Sequence, residues 1–423
     1  MTPLRPSSTP AIDELDRLVV PLPNGTEVTT RVERRFEGIL VPQGALARVV
    51  RTEGDRVEVR VVDGGRHVYL RSELLPRSAG QFRFAVRRQE AWSALRETVV
   101  LETVVGSRAW GLADEDSDVD RRGVFVLPFS WTIGLVDPPT ELISVDGSET
   151  FWEVGKAIRQ AIRADPNTLE MLFLDGAGVT DPMGEWLLEV REVFATREIY
   201  SSFGRYALSQ LKRLEKSLRL AEHRAHLLEW LRREPELSLT ELARRLQRAC
   251  AIEAPTEQQG EQLARQYIKQ LYRSMFDHGL LEERTLASLT VFARENGGDF
   301  DLPRELGPKN AYNLLRLIDL AIGWLTTGSP SFRAASPLRE ELLAIKRGGV
   351  SLERVRMRAE EMAASLEDAK RVSRLPEKVD LARVDQVLKR IRREAAGRHF
   401  DGVPGVFGAD APDAPTAEWR STS

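Results

Sequence analysis

The chain has 423 residues, with 61 Lys and Arg against 64 Asp and Glu, so its net charge of −3 gives no overall affinity for polyanions. Its length calls for more than one domain, and its 42% hydrophobic and 30% charged residues are typical of a soluble globular protein. The single cysteine excludes an internal disulfide framework and favours the reducing cytoplasm. No run approaches the roughly 18 apolar residues of a membrane span, so we expect no membrane association.

The N-terminal part of the chain is predicted to be a loose tail over residues 1–18, rich in Pro, Ser and Thr, followed by a small β module over residues 19–82. Val57, Val59 and Val61 alternate with charged residues between two turn signals, which is the pattern of a half-buried strand. We expect an antiparallel, SH3-like module resembling a small β-barrel. Such modules bind nucleic acid or peptide, or dock to other domains.

The middle of the chain, residues 83–198, mixes strand and helix patterns. An apolar run over residues 99–105 ends at Gly106 and Ser107, and a second strand is predicted over residues 119–126. Residues 149–164 favour a helix, or a strand followed by a helix, which Asp165 and Pro166 end. This mixture predicts an α+β core with a mixed sheet.

The remainder is predicted to be a large all-α domain over residues 199–400. Ser238 and Glu241 form a capping box that opens one of its helices, and a winged-helix-like insert is possible at about 235–295. Residues 401–423 have the composition of a disordered tail.

The segment that carries chemistry is an apolar strand, Gly106-Ser107, ten further residues and then Asp118-Val119-Asp120. Glycine lets a phosphate approach the backbone closely, and the Ser107 hydroxyl and the free N–H groups opening the following helix can bind its oxygens. Asp118 and Asp120 are two apart on a predicted strand, so their carboxylates point to one face, where they are suitable ligands for Mg²⁺. An Asp-Ser-Asp run that merely caps a turn is the alternative, but the joint pattern favours a nucleotide and metal site.

These residues resemble the signature of the DNA polymerase β-like nucleotidyltransferase superfamily. Within it, residues 106–112, 116–120 and 122–126 resemble the predicted RNA-repair nucleotidyltransferases of the RlaP or YcgL-like group. Residues 166–172, 309–317 and 339–345 resemble further motifs of that group. The chain departs from the group's pattern with Asp165 in place of Asn, Asn313 in place of His and Trp110 in place of Tyr.

The resemblance implies a polymerase β-like core and a third metal-binding carboxylate on a strand beside Asp118 and Asp120. We predict Glu149 for this role, as metal ligand and as a group that helps to deprotonate the attacking hydroxyl. Asp146 and Glu153 are the alternatives, although Asp146-Gly147 is more typical of a turn and Glu153 of the first turn of a helix.

Three basic residues are candidates for contact with the nucleotide. Arg108 follows Ser107 directly, and its alternative is a solvated or ion-paired arginine. Lys309 and Arg316 lie on one face of a predicted helix, which could close over the nucleotide as the resemblance suggests or form an ion-paired domain interface.

The predicted function is therefore transfer of a nucleoside monophosphate from an NTP such as ATP, with two Mg²⁺ or Mn²⁺ ions bound by Asp118, Asp120 and Glu149. The resemblance implies an RNA 3′ end, of the tRNA-like kind, as the acceptor in RNA repair or processing. A protein or small-molecule acceptor is one alternative. A nucleic-acid-binding protein built on a transferase scaffold is another.

Overall fold

The computed structural model describes residues 21–36, 39–61, 65–77, 81–113, 119–135, 137–250, 256–277, 279–296, 308–333 and 336–412. The chain divides into two compact units, residues 1–86 with 215–305 and residues 87–214 with 306–423. The described helices include none that is both long and apolar enough to cross a bilayer.

The strands are short. They are β1 (Glu27–Thr30), β2 (Arg34–Phe36), β3 (Ile39–Val41), β4 (Leu46–Glu53), β5 (Arg56–Val61), β6 (Gly65–Leu70), β7 (Leu74–Pro76), β8 (Val99–Val105), β9 (Asp120–Phe125), β10 (Glu141–Ile143), β11 (Glu149–Glu153) and β12 (Gly178–Val179).

The helices dominate the second half of the chain. They are α1 (Gln81–Leu95), α2 (Phe129–Thr132), α3 (Val154–Ile162), α4 (Pro166–Phe173), α5 (Pro182–Glu189), α6 (Tyr206–Arg233), α7 (Leu239–Ala249), α8 (Glu257–Asp277), α9 (Leu286–Asn296), α10 (Pro308–Thr327), α11 (Ser336–Lys346), α12 (Leu352–Val372) and α13 (Leu381–Phe400).

The first unit contains a five-stranded antiparallel sheet in the order β6-β5-β4-β1-β7. Val57, Val59 and Val61 are buried on its inner face, which confirms the predicted alternation in β5. The predicted barrel is wrong, because no sheet among the described residues closes on itself. A single 3₁₀ turn, Arg71–Glu73, carries the chain from β6 at one edge to β7 at the other, and β2 pairs only with β3.

The helical part of the first unit has its own apolar core. Leu231 of α6, Leu242 of α7 and Ile268 of α8 are fully buried in it. The capping box is present: the Ser238 hydroxyl accepts from the backbone N–H of Glu241, whose carboxylate accepts from the N–H of Ser238 at 2.9 Å. The described residues between 235 and 296 are helical apart from their connections.

The second unit is built on a mixed sheet in the order β10-β11-β9-β8-β12, in which β9 and β11 are parallel and the other neighbours antiparallel. Leu101, Val124 and Trp152 face one side and share a core with α3, α4 and α10. Phe125 and Phe151 face the other side, with Leu95 of α1. Helices therefore cover both faces, as an α+β core requires.

The C-terminal chain packs beyond the end of α13. Phe407 is buried, and the Trp131 indole N–H donates to the carbonyl of Pro412 at 2.7 Å. Residues 401–412, the first part of the tail predicted over residues 401–423, therefore pack against the folded chain through a buried aromatic side chain and a backbone acceptor.

We expect Gly123→Ala to destabilise the protein by about 1–3 kcal/mol, since a buried methyl group has no room there. Gly123 lies in the middle of β9, where a Cβ would overlap the carbonyl oxygen of Leu101 and come within 2.7 Å of the Phe151 ring. The control is Gly323→Ala on α10, where a Cβ meets nothing within 4 Å. Alanine should stabilise that helix by about 0.5–1 kcal/mol. Urea denaturation measures both, and equal effects would contradict the packing at Gly123.

Candidate nucleotide and metal site

The chain turns sharply where β8 ends. Gly106 has a φ of +73°, and the N–H of Trp110 donates to its carbonyl at 3.2 Å. The N–H of Leu112 donates to the carbonyl of Ser107 at 2.8 Å. These bonds form turns over residues 106–111 in place of the helix expected after Ser107. Gly111, with a φ of +68°, is in the left-handed region, which a right-handed helix cannot include.

Side chains from α11 bind the end of this turn. The Arg339 Nε–H donates to the carbonyl of Gly111 at 3.2 Å, and the Lys346 ammonium donates to that of Leu112 at 2.9 Å. The two cations thus supply hydrogen-bond donors to backbone carbonyls at the end of the turn. The motif at residues 339–345 thus contributes a contact to the turn.

Gly106 and Asp120 lie side by side at the ends of two paired strands. Val105 is the register partner of Asp120, and a Cβ at Gly106 would lie 3.2 Å from Asp120 Oδ2. Both the positive φ and this close approach favour glycine. The structure therefore brings the predicted turn and one predicted metal ligand together.

Of the other residues predicted in this segment, the structure describes Ser107 and Arg108. Asp118 lies outside the described residues, as does all of 114–118, so its pairing with Asp120 stays a prediction. The Ser107 hydroxyl has no hydrogen-bond partner among the described residues, and the Arg108 side chain is exposed.

Glu149 lies on the face of the sheet opposite Asp120. In the parallel pair of β11 and β9, Glu149 is the partner of Arg121, so the two share a face, and Asp120 points to the other. The Glu149 carboxylate lies 3.7 Å from the guanidinium of Arg121 and 3.7 Å from that of Arg96. The structure thus does not bring Glu149 to the predicted metal site; it places Glu149 between two cations.

The two alternatives for the third carboxylate serve as caps. The Asp146 carboxylate accepts from Ser144 and Ser148 in the turn before β11, where Gly147 has a φ of +78°. Glu153 caps the N-terminus of α3, accepting from the N–H of Lys156 at 3.0 Å. Both positions match the local patterns noted in the sequence.

Arg122 is a cation on the Asp120 side of the sheet. Its guanidinium donates to the carbonyls of Arg121 at 2.8 Å and Ser148 at 3.2 Å. Burial lowers the pKa of Arg122, while the charges of Asp120 and Glu170 oppose that change. Arg122 therefore balances the negative charge that Asp120 and Glu170 bring to this end of the sheet.

Glu170 is a buried carboxylate that holds the turn. Its Oε1 accepts from the backbone N–H of Gly106 and from the indole N–H of Trp110, both at 2.9 Å. Its Oε2 lies 3.8 Å from the guanidinium of Arg316 on α10. Only 6% of Glu170 is exposed, so these contacts compensate a charge that water does not reach. The N–H of Gly106 therefore points to Glu170.

Arg316 lies against Trp110. Its guanidinium carbon is 4.2 Å from the centre of the indole ring, and only 7% of the residue is exposed. Among the described residues, its Nε and Nη1 have no hydrogen-bond partner. Arg316 is thus part of the support behind the turn. Lys309 lies on the same helix, but its side chain is outside the described part of the chain.

The residues at the turn include a suitable ligand for a divalent cation but do not form a complete set of ligands. The Asp120 carboxylate offers the hard oxygen ligands that Mg²⁺ and Mn²⁺ prefer. The described residues contain no group of three or more His, Cys, Asp or Glu arranged to hold a metal ion. Asp118 stays a further ligand predicted from the sequence.

Comparison with known proteins assigns the chain to a family. A family model described as "RlaP: RNA repair pathway DNA polymerase beta family" matches residues 81–390. The chain belongs to this family. Membership suggests a nucleotidyltransferase, and the DNA polymerase β family typically uses divalent metal ions.

One relative extends this comparison. The uncharacterized protein YcgL of Bacillus subtilis (strain 168) is 31% identical over 84 residues, which are 18% of this chain and 31% of that protein. The chain thus matches about a third of the length of that relative. No solved structure matches the chain.

The sequence contains a signal for Glu170, which was not among the predicted site residues. Glu170 is the acidic residue of the RlaP-like motif at residues 166–172, and its neighbours Leu169, Met171 and Leu172 are apolar. Two of the three departures from the family pattern keep a donor or acceptor: Trp110 supplies an indole N–H where Tyr has a hydroxyl, and Asp165 caps α4 as Asn can.

We expect Gly106→Ala to lower stability more than Gly111→Ala does. Each substitution forces a positive φ on alanine, at a cost of about 1–3 kcal/mol. A Cβ at Gly111 meets nothing within 4 Å, whereas one at Gly106 presses on the Asp120 carboxylate. Urea denaturation of the two variants measures the difference, and equal losses would show that Asp120 does not constrain Gly106.

We expect Glu170→Ala to cost about 3–5 kcal/mol of stability, because it leaves a buried arginine and two N–H groups, of which the Trp110 indole N–H is buried, without their acceptor. Glu170→Gln keeps one acceptor oxygen and should cost less. Glu192 is an exposed control, for which Glu192→Ala should stay within about 0.5 kcal/mol. Chemical denaturation distinguishes them, and a loss at Glu170→Ala as small as the control's would overturn the anchoring role.

Proposed function

We propose that the protein is a metal-dependent nucleotidyltransferase that transfers a nucleoside monophosphate from an NTP to a hydroxyl group, with an RNA 3′ end as the acceptor. Its membership of the RlaP family supports the reaction class and the RNA repair context. The observation that carries the proposal is the close approach of the Gly106 turn to the Asp120 carboxylate at the paired ends of β8 and β9.

Different residues of the chain would bind the metal ions and the nucleotide at this site. Asp118 and Asp120 would hold two Mg²⁺ or Mn²⁺ ions. Bound metal would supply charge neutralisation for the triphosphate and the attacking oxygen. The Ser107 hydroxyl, which has no partner among the described residues, would donate to a phosphate oxygen. Arg108 and Lys309 stay as predicted contacts to the nucleotide.

The reaction is an in-line displacement at the α-phosphorus. The acceptor hydroxyl loses its proton, its oxygen bonds to the α-phosphorus, and the bond to the β-phosphate oxygen breaks to release pyrophosphate. Positioning is the main task of the protein in such a reaction, and the Glu170 network fixes the turn on which Ser107 lies. Glu149 has no step here, since its carboxylate faces Arg96 and Arg121.

The test is incubation of the full chain with labelled NTPs and Mg²⁺, in separate reactions with tRNA, with protein or with no acceptor. Label on RNA supports the proposal, whereas label on protein would replace the acceptor with the first alternative. No label in any reaction, with every NTP tried, would leave only a nucleic-acid-binding scaffold.

We expect Asp120→Asn to lower the transfer rate by about 10²–10³, because one metal ligand loses its charge. The double variant Asp118→Ala/Asp120→Ala should be inactive. The matched control is Asp385→Asn on α13, which also removes one carboxylate but only breaks an exposed ion pair with Lys389. The measurement is the transfer rate of each variant under saturating Mg²⁺. Full activity of the double variant would refute the proposed metal site.

A further inference from the structure

A groove of about 590 Å³ lies between α5 and α13 in the second unit. Its lining combines one aromatic side chain with mostly basic and polar ones: Trp186, Gln386, Lys389, Arg390, Arg393 and Glu394. The turn over residues 106–111 and Asp120 do not line it. The groove is therefore distinct from the proposed nucleotide and metal site.

Helix α13 has a buried side and an exposed side. It packs against the core of the second unit through Val384, Ile391 and Ala395. Arg383, Gln386, Arg390 and Arg393 are exposed, and their spacings of three, four and three place them on one face of the helix. At a rise of 1.5 Å per residue, this face carries a line of arginines about 15 Å long.

The arginines of this face are available to a ligand. Arg383 and Arg393 form no ion pair with any residue that the structure describes. The Arg390 guanidinium lies 3.9 Å from the Glu189 carboxylate, at the limit of an ion pair. Lys389, by contrast, is paired with Asp385 one turn earlier on the helix.

The single acidic residue of the lining is already neutralised. The Glu394 carboxylate accepts from the Arg398 Nε–H at 2.9 Å, and Arg398 lies outside the groove. Glu185 on α5 is exposed without an ion pair among the described residues, but it does not line the groove either. The groove itself thus has three cations and one compensated carboxylate, which favours an anionic ligand.

Arg390 lies on Trp186. Its guanidinium carbon is 3.7 Å from the centre of the aromatic ring, which is van der Waals contact. Trp186 is half-buried and packs against the core, while the Arg390 side chain is 55% exposed. The ring therefore supports one side of the guanidinium, and the other side is open to a further planar group.

A solvated helix face explains exposed arginines one at a time. It does not explain why a concave surface holds a guanidinium stacked on an indole, with unpaired arginines before and after it on the same face. Guanidinium groups bind phosphate oxygens through bidentate hydrogen bonds, and stacked guanidinium planes are platforms for unpaired bases. The Gln386 amide adds a donor and an acceptor for a base edge.

This combination fits single-stranded nucleic acid better than other polyanions. An acidic peptide or an anionic lipid surface would use the positive charges, but neither brings a planar group to the stack on Trp186. A base-paired strand has its bases covered by their neighbours, whereas an unpaired strand can present one base to a side-chain platform.

We propose that the groove between α5 and α13 binds a nucleotide of single-stranded RNA. Its base stacks on Arg390, and the neighbouring phosphates contact Arg383 and Arg393. The proposal rests on the proposed function in one respect, the choice of RNA as the nucleic acid. It gives α13 the task of holding part of the acceptor strand.

The experiment measures binding of a fluorescein-labelled 20-nucleotide single-stranded RNA to the full chain by anisotropy at several salt concentrations, without NTP. The double variant Arg390→Gln/Arg393→Gln should bind roughly tenfold more weakly, and the slope of log K against log salt should fall by about 0.7 for each lost phosphate contact. Its melting temperature should stay close to that of the wild type, because both side chains are exposed.

A conservative variant distinguishes stacking from charge. Arg390→Lys keeps the positive charge but removes the planar guanidinium. It should bind RNA about fivefold more weakly, since the base loses its platform, with an unchanged salt slope. Wild-type affinity in Arg390→Lys would overturn the stacking role of Arg390.

The matched control for Arg393→Gln is Arg354→Gln on α12, which also removes one exposed arginine without an ion pair among the described residues. Only Arg393→Gln should weaken binding. Unchanged affinity in the double variant, or an equal loss in the control, would overturn the proposal. Equal competition by an abasic oligomer of the same length or by phosphatidylserine vesicles would also overturn it, since the groove would then recognise charge alone.

The two proposals fail separately. Weaker RNA binding in the double variant, with no NMP transfer by the wild type, would leave the groove intact as a binding site and refute the transferase. Transfer to RNA by the wild type, with unaltered binding in the double variant, would refute the groove and leave the transferase.

Discussion

The Glu170 carboxylate is the interaction on which the geometry of the predicted site depends. It accepts from the N–H of Gly106 and from the indole of Trp110, and it faces the guanidinium of Arg316. These partners come from the turn after β8 and from α10. A buried charge with several donors has one arrangement that satisfies all of them. The hydrogen bonds of Glu170 therefore hold the six-residue turn in one conformation against the core.

The alternation of side chains in β9 decides what each carboxylate can do. Asp120 and Arg122 point to the face that α3 and α4 cover, where Glu170 and the Gly106 turn also lie. Arg121 points to the other face and meets Glu102 at 2.7 Å, with Arg96 and Glu149 nearby. The second set is a neutral network of two arginines and two glutamates. It stabilises the outer side of the sheet and is separated from the turn by the sheet itself.

Glycine is required in this region for two different physical reasons. At Gly123 the strand partners leave no volume for a Cβ, although the backbone is an ordinary strand. At Gly106 the backbone is left-handed and the neighbouring atom is a carboxylate oxygen. Without a Cβ, Gly123 lets the Phe151 ring lie over the strand, and Gly106 lets the Asp120 carboxylate lie against the turn.

The sequence by itself determined the local features. Neighbouring residues set the period-two burial in β5, the capping box at Ser238, the break at Asp165-Pro166 and the strand that ends at Gly106. The structure has all four features. The pattern also brought Gly106 and Asp120 into one prediction, because both belong to a single short stretch of chain. The RlaP family assignment confirms the resemblance drawn from that stretch.

Tertiary structure alone decided how distant segments meet. Glu149 was predicted from its place in the sequence. Its face depends on the register between β11 and β9, because a shift of one residue would turn the side chain to the opposite face of the sheet. No local sequence pattern sets that register. Glu170 is 64 residues from Gly106 in the chain, and its role follows from packing of α4 against β8. The open edges of the first unit's sheet likewise depend on where β6 and β7 come to lie. Spacing along a chain fixes which face of one element a residue occupies; only the packed structure fixes which element it faces.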